Sequence, residues 1–262
     1  MMAEARITTN NQKPPMHPAL RVVGAVKRFG AVLAVDNVSL SANAGEVLAL
    51  LGDNGAGKST LIKCISGVHR LDAGTVEVDG VAAEVHIPSD ARQAGIETVY
   101  QDLALFDNMD ATANFYAGRE LSGPKWLPRG LQRLDNRQMQ KETLELIERL
   151  KVVLPSFDAH IGLMSGGQRQ AVAVARAAAF ARKIVILDEP TAALGIRESR
   201  QVMSLVERLR DDGNAVVLIT HNMEQVIEYA DRVVVMRRGR KVGEVKPSEA
   251  THKDIVSMIV GG

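Results

Sequence analysis

Three short stretches, Val47–Leu51, residues 184–187 and residues 215–220, are almost wholly apolar and each stops at a glycine, an acid or a histidine. Unbroken apolar runs of this length predict strands covered on both faces, as in a parallel sheet. Residues 96–100 and 75–78 read as further strands, the latter closed by Asp79-Gly80. Upstream, 21–26 and 38–41 are short β-like runs separated by turns at Phe29-Gly30 and 43–45, which predicts an antiparallel layer ahead of 47–51. Strand signals then stop between 103 and 181. A loop-rich stretch at 122–130 holds Pro124, Trp126 and Pro128, and a helix follows from an Asp135 cap. In that helix Met139, Thr143, Ile147 and Leu150 share one face, with Glu145 and Arg149 spaced for an i,i+4 ion pair. A small-residue helix opens after Ser165, and another over 197–210 places Val202, Leu205, Val206 and Leu209 on one side. The chain closes on an expected β-hairpin, 232–236 and 242–245, around the basic turn 237–241. The pattern predicts an α/β core with a helical insertion between strands.

Composition narrows the class without naming a partner. The chain has 262 residues, 46% hydrophobic and 24% charged, enough for one large core or two unequal lobes. Its net charge of +1 sets up no overall field favouring nucleic acid or anionic lipid. The single cysteine, Cys64, excludes an intrachain disulfide and a cysteine zinc cluster, suits a reducing compartment, and sits among Leu61, Ile62 and Ile65 where packing is its expected role. Residues 1–19 are polar, contain proline and lack an apolar segment, so they read as a disordered tail and not a signal peptide. No apolar run approaches the roughly 18 residues that span a bilayer.

The chemistry is concentrated where strands end. After Val47–Leu51 come Gly52, Asn54, Gly55, Ala56, Gly57, Lys58, Ser59 and Thr60, which match the G-x-x-x-x-G-K-[ST] pattern of a phosphate cradle between a strand and a helix. Glycine lets backbone N–H groups approach a polyphosphate, and the helix start turns its positive end to the same anion. Lys58 is expected at the β- and γ-phosphates, Ser59 on a Mg²⁺ ion and Thr60 on a phosphate. Gln101 closes a strand and is a candidate for the Mg²⁺ or the attacking water, though an ordinary surface amide reads the same way in isolation. Residues 183–190 end in Asp188 and Glu189: the first is expected to hold Mg²⁺ through water, the second to orient or deprotonate the attacking water. His221, at the next strand end, suits a γ-phosphate or the water beside it, while Asn222 and Gln225 form a helix-capping pair. Ser165, Gly166, Gly167 and Gln168 open a helix with a plausible Ser165 cap and free N–H groups, a second place to meet an anion. Phe29 offers a face for a nucleotide base or for core packing. The basic turn reads as a solvated hairpin tip or as a contact for an anionic partner.

In this order, Phe29, GDNGAGKST, Gln101, MSGGQRQ, ILDEP and His221 resemble the ATP-binding subunit of an ABC transporter over nearly the whole chain. The resemblance implies a P-loop NTPase (RecA-like) core, 20–101 and 182–262, within one domain 20–262 that carries a helical subdomain, 102–181. It implies that Phe29 stacks on the base, that Ser165–Gln168 form the signature motif, and that Glu189 is the catalytic glutamate. Segments such as DEPTAALG are similar to the branch that energises uptake of monosaccharides such as ribose, xylose or fructose. ATP and Mg²⁺ are then the expected cofactors. The implied partners are a second ATPase subunit, identical or merely similar, membrane-spanning permease subunits and, indirectly, a periplasmic sugar-binding protein, with no nucleic acid. The implied location is the cytoplasmic side of the cell membrane. Two residues depart from the family pattern: Met164 stands where Leu is usual, and Gly195 where an Asp couples the two sites. Two other classes remain open here, a soluble ABC ATPase acting in DNA repair or translation and a regulatory module that binds ATP but hardly hydrolyses it.

Overall fold

The computed structural model describes residues 17–123 and 132–261. Most of the tail 1–19 and the centre of the loop-rich stretch, with Pro124, Trp126 and Pro128, lie outside the described residues. The chain begins with β1 (Leu20–Phe29) and β2 (Val32–Ala42), an antiparallel pair, followed by β3 (Val47–Leu51) and α1 (Lys58–Ile65). Next come β4 (Ala73–Val78), β5 (Val81–Ala83), α2 (Pro88–Gln93) and β6 (Ile96–Val99). The expected insertion supplies α3 (Ala111–Tyr116), the two-residue strands β7 (Ser122–Gly123) and β8 (Arg133–Leu134), α4 (Asn136–Leu150) and α5 (Gly166–Phe180). The remainder is β9 (Ile184–Asp188), α6 (Ile196–Asp211), β10 (Ala215–Ile219), α7 (Met223–Tyr229), β11 (Arg232–Arg237), β12 (Arg240–Val245) and α8 (His252–Val260).

Two principal sheets result. One is antiparallel in the order β2-β1-β4-β5; the other, β12-β11-β3-β10-β9-β6, is parallel except for its β12 edge. All five residues of β3, β9 and β10 are buried, as unbroken apolar runs require when both faces are covered. Successive side chains of a strand point to opposite faces. Val185, Leu187, Val216 and Leu218 accordingly pack in a core shared with α4, α5 and α6. Their neighbours Ile184, Ile186, Val217 and Ile219 pack with α1 and the antiparallel layer. The sheet is thereby clamped between a helical side and a β side, and its carboxyl edge stays open.

The helix over 136–150 buries Met139, Thr143, Ile147 and Leu150, and Asp135 caps it by accepting from the Gln138 N–H. The expected Glu145–Arg149 pair does not form: Glu145 meets Lys141 at 3.8 Å and Arg149 reaches Asp212, also at 3.8 Å, because Asp212 stands at the end of the neighbouring α6. The terminal hairpin forms with longer strands than expected, so its turn is only Arg238-Gly239, both left-handed at φ 47° and 80°. Such a two-residue turn matches the right-handed twist of the strands it joins. Helix α8, not read from the pattern, follows it and buries Ile255 against Ala49, Leu51, Val233 and Val235.

Candidate nucleotide-binding site

The cradle is built by close approach of backbone. At Gly52, with φ +149°, an added Cβ would lie 2.1 Å from the Met236 carbonyl oxygen; at Gly57, with φ +97°, it would lie 2.4 Å from that of Ala34. No side chain other than hydrogen fits either place, so glycine is fixed here by space as well as by torsion. Helix α1 starts at Lys58 with Gly57 as its N-cap, and no side chain accepts from its first N–H groups. An unanswered helix start aims four donors and the positive end of the dipole outward. The Asn54–Thr60 segment lines a cavity of about 550 Å³ together with Val32, Leu33, Ala34, Arg238 and Gly239.

The Lys58 ammonium folds over the loop, donating to the carbonyls of Gly52 at 2.6 Å and Asp53 at 3.0 Å. Burial holds its pKa below the ordinary lysine value, while Glu189, Asp188 and Asp53 act to keep it charged. Asp188, at the end of β9, is buried; that burial, then the charge of Glu189, raises its carboxyl above the usual range, against Lys58 and Lys63. Glu189 does not continue the extended backbone of β9, which ends at Asp188. It turns left-handed at φ 53°, donates its N–H to the Ile219 carbonyl, and presents Oε2 at 2.9 Å to Nδ1 of His221. A bulky residue in that conformation stores strain, which persists only where the surroundings fix it. The carboxylate is mostly covered, at 17% exposure, and the imidazole is open at 76%.

The parallel order β3-β10-β9-β6 therefore brings Gly52 to Thr60, His221, Asp188 with Glu189, and Gln101 to one edge, the place where open α/β sheets bind ligands. Gln101 is exposed there. Asp188, Ser59 and Gln101 offer one carboxylate, one hydroxyl and one amide, a hard-oxygen set that fits a Mg²⁺ ion retaining most of its water. Among the described residues no three His, Cys, Asp or Glu side chains gather as a metal cage, and such an ion needs none.

Two expected contributors are not brought to the cradle. Phe29 is 45% exposed, meets His69 edge-on at 5.2 Å between ring centres, and does not line the cavity. Ser165, Gly166, Gly167 and Gln168 do not line it either. Ser165 caps α5 by accepting from the Gln168 N–H, and the Gln168 side chain accepts in return from the Ser165 N–H at 2.9 Å. Beside this start, Leu163 and Ile196 are exposed at 82% and 78%. Sequence reasoning missed the parts held by backbone: the Asp53 carbonyl on Lys58, the Met236 carbonyl behind Gly52, and the hairpin tip in the cavity wall.

A family model described as "ABC transporter" matches residues 35–192. The chain belongs to the ABC transporter family. It is 44% identical over 245 residues to the fructose import ATP-binding protein of Rhizobium meliloti, covering 93% of this chain and 94% of that one. It is 43% identical over 244 residues to the xylose/arabinose import ATP-binding protein of Sulfolobus acidocaldarius, with the same shares covered. A crystal structure of a nucleotide-free ATP-binding cassette from an ABC transporter superposes with a TM-score of 0.77 at 27% identity, over 94% of this chain and 96% of that chain. As a member of this family the protein binds ATP and is an ATPase, and its fold is the P-loop ABC cassette. No helix among the described residues is long and apolar enough to cross a membrane.

Proposed function

We propose that the chain is the ATP-hydrolysing subunit of a sugar importer, working as one of two cassettes that close head to tail on ATP at the cytoplasmic face of the membrane. The observation that carries this reading is the separation of two anion-reading helix starts: α1 opens into the cradle, whereas α5, with its Gly166 and Gly167 N–H groups, opens elsewhere. A phosphate held in the cradle meets an α5 start only if a second chain supplies it, and the exposed Leu163 and Ile196 beside α5 gain from being covered. The sugar assignment is supported by the names of the fructose and xylose/arabinose relatives. It brings membrane permease subunits and a periplasmic sugar-binding protein as partners. Within the chain we divide the domain 20–262 into a core, 20–101 and 182–262, and a helical subdomain, 102–181, that passes movement to the permease.

In this reading the cradle N–H groups and Lys58 hold the β- and γ-phosphates, with Thr60 and Asn54 to Ala56 at the wall and Phe29 meeting the base once the cassette closes. Ser59, Asp188 and Gln101 would hold Mg²⁺, which supplies charge neutralisation on the phosphate oxygens. His221 donates from Nδ1 to one oxygen of Glu189, leaving the other to take a proton from water. The water oxygen bonds to the γ-phosphorus as the bond to the β-phosphate bridging oxygen breaks, and ADP and phosphate leave. Ser165 to Gln168 of the facing chain close over the γ-phosphate, so binding closes the pair and phosphate release opens it. Glu189→Gln is expected to bind ATP, accumulate an ATP-dependent dimer by light scattering, and hydrolyse at least about 100-fold more slowly. Unchanged turnover would remove Glu189 as the base, and absence of the dimer would remove the paired arrangement.

A further inference from the structure

Four cations crowd the end of the β11–β12 hairpin, and three have structural occupations. Arg240 pairs with Asp36 at 2.6 Å. Lys241 pairs with Glu244. Arg237 lies against Gly261 at the end of α8. Arg238 has no hydrogen bond or ion pair among the described residues, and it lines the cradle cavity together with Lys58 and Ser59. Its position there is fixed: the Gly239 N–H donates to the Ala56 carbonyl at 3.0 Å, and the Gly239 carbonyl accepts from the Asp36 N–H at 2.8 Å. The hairpin tip is thus tied to the cradle loop on one side and to β2 on the other. The fold keeps a long cationic side chain in a left-handed conformation, φ 47°, where glycine or asparagine is cheaper.

We propose that Arg238 is a second cation of the nucleotide site, reaching over the cradle wall to the phosphate chain of bound ATP or ADP. The geometry assigns it a different task from Lys58. Lys58 approaches from inside the loop and is anchored by two loop carbonyls, whereas Arg238 stands at the rim, free to turn onto the ligand when it arrives. A guanidinium suits this because its forked donors meet phosphate oxygens two at a time. In the sequence the basic turn fits either a solvated tip or a contact for an anion; the position of Arg238 in the cavity wall favours the anion and limits the contact to one residue of the turn. The proposal rests on the cradle holding the nucleotide.

The test is titration of a fluorescent ATP analogue, and of its ADP counterpart, into the purified full chain in EDTA, where nothing turns over. Arg238→Gly removes the guanidinium and relieves the left-handed residue, so the variant should melt at or above the parent temperature while binding both nucleotides about tenfold more weakly. Arg238→Lys should recover part of the loss, and raising salt should narrow the gap between parent and Arg238→Gly. Parent-like affinity in a folded Arg238→Gly chain would overturn the proposal. A Lys58→Ala chain that also binds like the parent would overturn the cradle reading beneath it.

Discussion

Asp188 shows what a binding site costs the empty fold. Its carboxyl pKa is raised by burial first, so over the range between its unfolded value and its higher folded value the folded chain holds a proton that the unfolded chain has lost. Stability therefore falls as pH rises through that window. Asp188→Asn removes the buried charge, and in the nucleotide-free chain it should raise the melting temperature at neutral pH, an advantage that fades as pH drops through the same window. It should at the same time weaken hydrolysis. A melting series from acid to neutral pH checks the sign. Gly52 is the opposite case, a residue with no side chain and no room for one: Gly52→Ala drives a methyl into the Met236 carbonyl and should cost roughly 3 kcal/mol in denaturant unfolding. Cys64 is buried, and that burial lifts its thiol to about 11, so it should resist alkylation by iodoacetamide at neutral pH until the chain unfolds.

Among the elements, α5 joins the insertion to the nucleotide edge. Its Arg176 donates to the carbonyls of Leu103 and Ala104, at 2.8 and 2.7 Å, and both of those residues are left-handed. The segment that follows Gln101 is thereby latched to the helix that starts at Ser165. Arg176→Ala should cost about 1–3 kcal/mol and speed hydrogen exchange selectively over residues 103–107. Exchange that rises equally through α4 and α5 would show a general loss of packing instead. Elements were legible in the sequence where one local pattern decided them. The all-apolar runs gave β3, β9 and β10, and the 139-143-147-150 face gave α4 with its Asp135 cap. Helix α8 is not legible although Thr251 and Asp254 form a capping box ahead of an apolar stretch, because its nine residues make too few turns to fix a period. Helices α2 and α3, six residues each, have too few turns to show a period.

At the scale of the molecule, the cradle was legible because one contiguous segment encodes it, and the acids because each ends a recognisable strand. The rest depends on chain partners far apart in sequence. The Glu189–His221 contact follows from β9 lying beside β10, and the Met236 carbonyl behind Gly52 and the Arg238 tip beside Ala56 follow from β11 lying beside β3. No local pattern states that order. Ser165 to Gln168 likewise do not line the cradle of their own chain, and the proposed pairing encloses each ATP between two chains. Two damaged chains test it together. Lys58→Ala spoils the cradle, and Gly166→Asp sets a carboxylate against the phosphate at α5, where an added Cβ meets only Leu194 at 3.5 Å and the fold can accept it. Each variant alone should be inactive. Mixed in equal amounts, they should hydrolyse ATP, because one intact cradle then faces one intact α5 start; a mixture no more active than its separate components would contradict the account.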